Sequence, residues 1–152
     1  MKKFELTSEF VTFLGKKLFR IKALVSFGDV KEGELGGLVE KEENLDQSGN
    51  AWVSGNAWVS GDARVYGDAW VSGDARVQNC RDYSATSCFG SGNRTTTFFR
   101  TKDGGISVRC GCFYGTLAEF REKVKERHGG RRLAKEYLML ADLMEFRLSK
   151  DE

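Results

Sequence analysis

Residues 49–78 read GNAWVS, GNAWVS, GDARVY, GDAWVS and GDARVQ, five back-to-back copies of one hexapeptide. So short a period marks a chain that stacks on itself in coils. Val53, Val59, Val65, Val71 and Val77 recur every six residues, with Ala51, Ala57, Ala63, Ala69 and Ala75 two positions ahead of them. Side chains alternate along a strand, so each copy is expected to send one Val and one Ala to the same side. Gly with Asn or Asp then makes the turn with little steric cost. A six-residue period suits a coil with three flat faces, Val filling the interior and Ala leaving room near each corner.

The pattern aliphatic, any, Gly, Asn/Asp, Ala, any resembles the motif of the left-handed parallel β-helix in hexapeptide-repeat acyltransferases and their non-catalytic relatives. Handedness is implied by that resemblance alone, and the motif speaks for fold rather than activity. Three copies per turn would stack residues eighteen apart: Trp52 over Trp70, Trp58 over Arg76, and Arg64 over Asp82. Outward indoles each leave more than ~150 Å² of mostly apolar surface to be covered. Trp52, Trp58 and Trp70 are therefore expected to form a self-association face, threefold as the resemblance implies, with pairing of trimers left open. The alternative is that flanking segments of the same chain cover them. Five copies make fewer than two turns, so capping segments and neighbouring subunits are expected to complete the core.

The expected organisation is an N-terminal β cap and leader over 1–48, coils over 49–84, and a C-terminal ββαα module over 85–152. Short strands are read at 3–6, 11–13 and 18–25, with Gly15 at a turn. Val39 and Leu45 can supply irregular inward positions of a first rung. Residues 84–94, SATSCFGSGNR, read as a linker or crossing. Thr95–Thr101 and Ile106–Cys110 flank the turn Lys102-Asp103-Gly104-Gly105. Thr116 with Glu119 is a capping box for a helix over Leu117–His128 that ends at Gly129 and buries Leu117, Phe120 and Val124. A second helix, Leu133–Leu148, carries Tyr137, Leu140, Ala141 and Met144 on one side. The leader block FGDVKEGELGGLVEKEENL and the later string TTTFFRTKDGG, with VRCGCF beyond it, resemble a phage- and prophage-associated family of hexapeptide-repeat proteins. The likeness covers nearly the whole chain, and that family's transferase-like names carry no demonstrated activity.

The 152 residues are 40% hydrophobic and 30% charged, with no proline and 18 glycines. No apolar run is long enough for a membrane helix, and the first residues lack the apolar core of a signal peptide, so a cytoplasmic location is expected, the host cytoplasm for a viral protein. The net charge is +2, but residues 86–152 hold thirteen basic and nine acidic groups. Duplex nucleic acid is disfavoured, since no basic stripe or recognition motif emerges.

Acyl transfer from coenzyme A needs a base beside the coil. The single histidine, His128, lies outside the repeats, and Asp62, Asp68 and Asp74 are turn residues. Cys80, Cys88, Cys110 and Cys112 lack the paired knuckles of structural zinc sites and read as small buried side chains; no metal or cofactor is expected. What remains is basic: Arg94, Arg100, Lys102, Arg109, His128, Arg131 and Arg132, near Thr hydroxyls and Gly-Gly amides. That mixture suits a phosphate-bearing ligand, although Glu119, Glu122, Glu126 and Glu136 can pair the helical cations instead. Arg100 and Arg109 are expected to be neighbours if the hairpin register allows. The function expected from this is non-enzymatic: a trimeric phage or prophage accessory factor that acts as a counter-defence sponge for an anionic, nucleotide-like small molecule. The alternatives are direct inhibition of a host defence protein and a coenzyme A-dependent acyltransferase.

Overall fold

Phe4–Phe13 forms β1, whose register with the next strand shifts between Leu6 and Phe10; it turns at Leu14 and Gly15 and returns as β2 (Lys16–Ala23), antiparallel with Phe13 opposite Lys16. The structure, a computed structural model, describes residues 2–87, 95–110 and 113–149. β3 (Leu35–Val39) pairs antiparallel with β2. The repeats then give four two-residue strands: β4 (Trp52–Val53), β5 (Trp58–Val59), β6 (Trp70–Val71) and β7 (Arg76–Val77). β3 pairs parallel with β5, and β5 with β7, closing a five-stranded mixed sheet in the order β1-β2-β3-β5-β7. β4 and β6 form a separate parallel pair. β8 (Tyr83–Thr86), β9 (Thr96–Arg100), β10 (Ile106–Cys110) and β11 (Phe113–Thr116) make an antiparallel sheet in the order β11-β10-β9-β8, followed by α1 (Leu117–His128) and α2 (Arg132–Leu148).

These sheets correct the expected fold class. Among the described residues no closed or solenoid-like sheet forms, so the chain does not build the left-handed parallel β-helix. The physical reason is brevity. Thirty residues of repeat provide only two pairings at eighteen-residue spacing, Trp52 with Trp70 and Trp58 with Arg76. The third ladder is replaced: Val65 bridges Leu45, Arg64 lies 3.7 Å from Asp46, and Asp82 pairs with Arg100 instead of Arg64. The hydrogen-bonding edge that further coils would have used is taken by β3, which brings the antiparallel β1–β2 hairpin with it. The C-terminal part also differs from a ββαα module, because β8 and β11 extend the hairpin to four strands.

The periodic interior survives these changes. The five repeat valines are fully buried in one core with Phe4, Ile21, Val39, Leu45, Trp52 and Phe99. At about 1.5–3 kcal/mol per buried side chain, this row outweighs the weak hydrogen bonding of two-residue strands. The turn glycines of the repeat sit at φ between 61° and 71°, the left-handed region. Gly36 serves a different need: a Cβ there would stand 2.6 Å from the Trp52 ring.

A second core lies between the antiparallel sheet and the helices, holding Phe98, Val108, Leu117, Phe120, Val124, Tyr137, Leu140, Ala141 and Met144. Alternation in β9 thus sends Phe99 to the repeat side and Phe98 to the helix side. Thr116 caps α1 by accepting from the Glu119 amide at 3.1 Å, while Glu119 accepts from the Thr116 amide at 2.8 Å. No helix among the described residues is long and apolar enough to cross a membrane.

Tyr83 locks β8 to the repeat by donating its hydroxyl to the Arg64 carbonyl at 2.5 Å. Burial pushes this phenol's pKa well above its ordinary value. An unfolded phenol ionises near 10, so above that pH the folded state holds the extra proton. The stabilisation is complete below pH 10 and is lost as pH rises towards the folded pKa. In urea denaturation, Tyr83→Phe is expected to lose about 1 kcal/mol less stability than wild type between pH 9 and 11; equal losses would count against the burial of this phenol.

Candidate functional site

The three indoles expected on the outside are covered by their own chain. Trp52 is fully buried beneath Phe27, their ring centroids 5.4 Å apart. Trp58 lies between Phe13, 5.1 Å away at 59°, and the Arg76 guanidinium, 3.9 Å from its ring. Trp70 carries the Arg109 guanidinium at 4.1 Å and donates its indole N–H to Ser54 Oγ at 2.8 Å. Their exposed area therefore no longer argues for a threefold contact there.

The predicted basic residues separate into three groups. Arg94 lies outside the described residues. Register places Arg109 opposite Thr97 and Arg100 opposite Ile106, so Arg109 shares the repeat-facing side with Phe99 while Arg100 shares the helix-facing side with Phe98. The expected Arg100–Arg109 proximity is corrected accordingly. His128, Arg131 and Arg132 sit at the α1–α2 turn, with His128 stacked on Tyr137 at 5.8 Å. They are not brought to Arg100 or Arg109. Cys80 is exposed, against the expectation of burial, and Cys110 is half-buried, its sulfur 3.2 Å from Thr96 Oγ1; Cys88 and Cys112 lie outside the described residues. Among the described residues no group of three or more His, Cys, Asp or Glu could hold a metal.

Arg100 is a structural tie. Its Nη1 lies 3.0 Å from Asp82, its Nε donates to the Leu148 carbonyl at 2.5 Å, and Nη2 donates to the Ser149 carbonyl at 3.1 Å. It thereby supplies the last carbonyls of α2 with donors and a positive charge, as a helix C-terminus favours. Asp82 also accepts from the Gln78 amide at 2.8 Å, so one ion pair joins the last repeat, β9 and α2.

Beside this tie runs a groove of about 470 Å³ lined by Phe13, Trp58, Arg76, Gln78, Asn79, Asp82, Arg100, Thr101 and Lys102. A smaller hollow of about 90 Å³ continues it past Leu14 and Lys16. Three elements build it. The β1–β2 tip brings Phe13, Leu14 and Lys16; β5 and β7 bring Trp58 and Arg76; the turn after β9 brings Lys102, whose amide donates to the Asp74 carbonyl at 2.9 Å. Leu14 is 82% exposed at φ 50°, a left-handed conformation unfavourable for a branched side chain. The strained tip holds aromatic, aliphatic and cationic side chains at one edge of the groove.

Four cations line these two hollows: Lys16, Arg76, Arg100 and Lys102. Asp82 is the carboxylate among the lining residues, and it is neutralised by Arg100; Glu40 approaches Lys16 only to 3.9 Å. Burial lowers the pKa of Arg76, opposed by Asp74, and Nη1 donates to the Ala75 carbonyl at 2.9 Å while the guanidinium lies over Trp58. An aromatic pair beside fixed positive charge can take a flat ring and an anionic group together. The larger cavity, about 750 Å³, has the opposite character: Asp74, Asp103, Glu119 and Glu145 face one guanidinium, Arg121. An anion would be repelled there.

Of the predicted ligand residues, Arg100 and Lys102 line the groove. Sequence reading missed Phe13, Lys16, Gln78 and Asn79, and assigned Trp58 elsewhere. The eighteen-residue stacking of Arg76 on Trp58 was the available signal; the arrival of Phe13 depends on non-local pairing. A scan against protein-family models and a search of curated proteins find no match for the chain.

Removing a partner from a part-buried ion pair costs more than removing a half-exposed cation from an indole. Arg100→Met should lower unfolding free energy by about 3 kcal/mol, and Arg109→Ala by about 1 kcal/mol or less. Chemical denaturation checks the order, and equal costs would contradict a structural role for Arg100.

Proposed function

We infer that this chain is a non-enzymatic binding protein whose groove takes an anionic small molecule bearing a flat ring, of nucleotide type. The single observation that carries the reading is the Phe13–Trp58–Arg76 stack, with ring centroids 5.1 Å apart and the guanidinium 3.9 Å from the indole, set beside Lys16 and Lys102. The base would lie against the aromatic edge and its phosphates against the cations. A volume near 470 Å³ suits a small ligand. The sequence resemblance to phage-associated proteins extends the reading to an accessory factor that sequesters a nucleotide signal of host defence.

A second reading is direct blocking of a host defence protein. The 82% exposure of Leu14, with Phe10 and Phe13 also exposed on the same hairpin, favours it. The acyltransferase alternative receives no such support: His128 belongs to the helical layer and stacks on Tyr137, away from the repeat.

Calorimetric titration with adenine and guanine nucleotides carrying one to three phosphates, and with pyrophosphate as the base-free arm, tests the groove. Nucleotide binding should exceed pyrophosphate binding, and Arg76→Ala with Lys102→Ala should weaken it at least ~tenfold, about 1.4 kcal/mol. Binding unchanged in that double variant, or no binding of any nucleotide at millimolar concentration, would overturn the assignment.

A further inference from the structure

The sixth position of the repeat is Ser in three copies, Ser54, Ser60 and Ser72, and Tyr66 in a fourth; in the last copy it is Gln78. Gln78 directly follows β7, the strand at the open end of the five-stranded sheet. Its backbone is held on both sides. The amide donates to Asp82 Oδ2 at 2.8 Å, and the carbonyl sits against Gly61, where any Cβ would collide with it. The side chain is left free: it is exposed, its carboxamide makes no hydrogen bond among the described residues, and it lines both hollows of the groove.

The other polar groups of these walls are already engaged or can only donate. Arg76 lies over Trp58 with Nη1 donating to the Ala75 and Asn56 carbonyls at 2.9 and 3.2 Å. Asn79 Oδ1 accepts from the Arg81 amide at 2.8 Å, and Thr101 Oγ1 donates to Asp103 at 2.5 Å. Asp82 and Arg100 compensate one another. An ammonium has no acceptor to offer, which sets Lys16 and Lys102 aside, and Ser60 brings one nearly buried hydroxyl. Gln78 is therefore the lining side chain that presents an acceptor and a donor side by side.

We propose that Gln78 reads the edge of the ring held in the groove, and that the ligand is an amino-substituted heterocycle of adenine type rather than any flat anion. This rests on the groove being the nucleotide site inferred above. Stacking against Phe13 and Trp58 leaves the hydrogen-bonding atoms at the rim of a base unsatisfied, and those atoms need a partner in the plane of the ring. A carboxamide supplies one: Oε1 accepts from an exocyclic amine while Nε2 donates to the adjoining ring nitrogen, the pairing that glutamine makes with adenine. The cations are then left to the phosphates. Because the exposed carboxamide exchanges water for the base, the gain is a preference and not an absolute filter.

Calorimetric titration of the full chain with adenosine 5′-diphosphate and with purine riboside 5′-diphosphate tests it, since the second ligand keeps the ring and the phosphates and lacks the exocyclic amine. Wild type should bind the adenosine ligand at least ~tenfold more tightly, about 1.4 kcal/mol. Gln78→Leu, shown by circular dichroism to be folded, should bind the two alike. A merely structural role for Gln78 would weaken both ligands in proportion and leave their ratio unchanged. Equal affinities in the wild type, or a preference that survives Gln78→Leu, would overturn the proposal; if both ligands still bind more tightly than pyrophosphate, the groove assignment stands without it. Failure of either nucleotide to bind the wild type would remove both.

Discussion

The parallel pairing of Leu38–Val39 with Trp58–Val59 is the contact on which the other arrangements depend. It is short, with backbone donors of Leu38 and Glu40 reaching the Ala57 and Val59 carbonyls at 2.9 and 3.0 Å. Two such bonds would contribute little alone. They hold because Val39 and Val59 are both fully buried, so a slip by one residue would turn the core row towards solvent. Through β2, this register carries the hairpin tip to the repeat and places Phe13 over Trp58. Fold and groove thus share one constraint.

The two kinds of arginine in the molecule differ in whether their donors tie elements together or leave the side chain facing a groove. Arg100 is only 18% exposed at its side chain and has a carboxylate and two carbonyls as partners. A charge in that position must be compensated, and the compensation consumes its donors. Arg76 instead rests on an indole and backbone carbonyls, with Asp74 acting on it through its charge, and it lines the neighbouring groove. Lys3 follows the first pattern: buried, with its ammonium donating to the Ala51 carbonyl at 2.8 Å, it has its pKa lowered by desolvation and closes the end of the repeat core.

The local features were legible in the residues. Val and Ala periodicity named the buried row, Thr116 and Glu119 named the start of α1, and Lys102 to Gly105 named the β9–β10 turn. Each depends on neighbours within a few residues. What the sequence could not supply was the fate of the free sheet edge: whether repeats, the leader or another subunit would pair there. The likeness to hexapeptide coils favoured more coil, whereas β3 and its hairpin occupy the edge. The same omission hid the groove, since Phe13 and Trp58 are forty-five residues apart and meet only through β2 and β3. Arg100 and Arg109 were misjudged for a simpler reason: strand parity sends them to opposite faces.

The three indoles provide a direct probe, since they occupy three environments: Trp52 in the core, Trp58 at the groove, and Trp70 under Arg109. Following their Nε1–H resonances by heteronuclear NMR while adenosine diphosphate is added tests the account most directly. Displacement of the Trp58 resonance, with those of Trp52 and Trp70 unmoved, is the predicted result. An unmoved Trp58, or movement confined to Trp70, would contradict it.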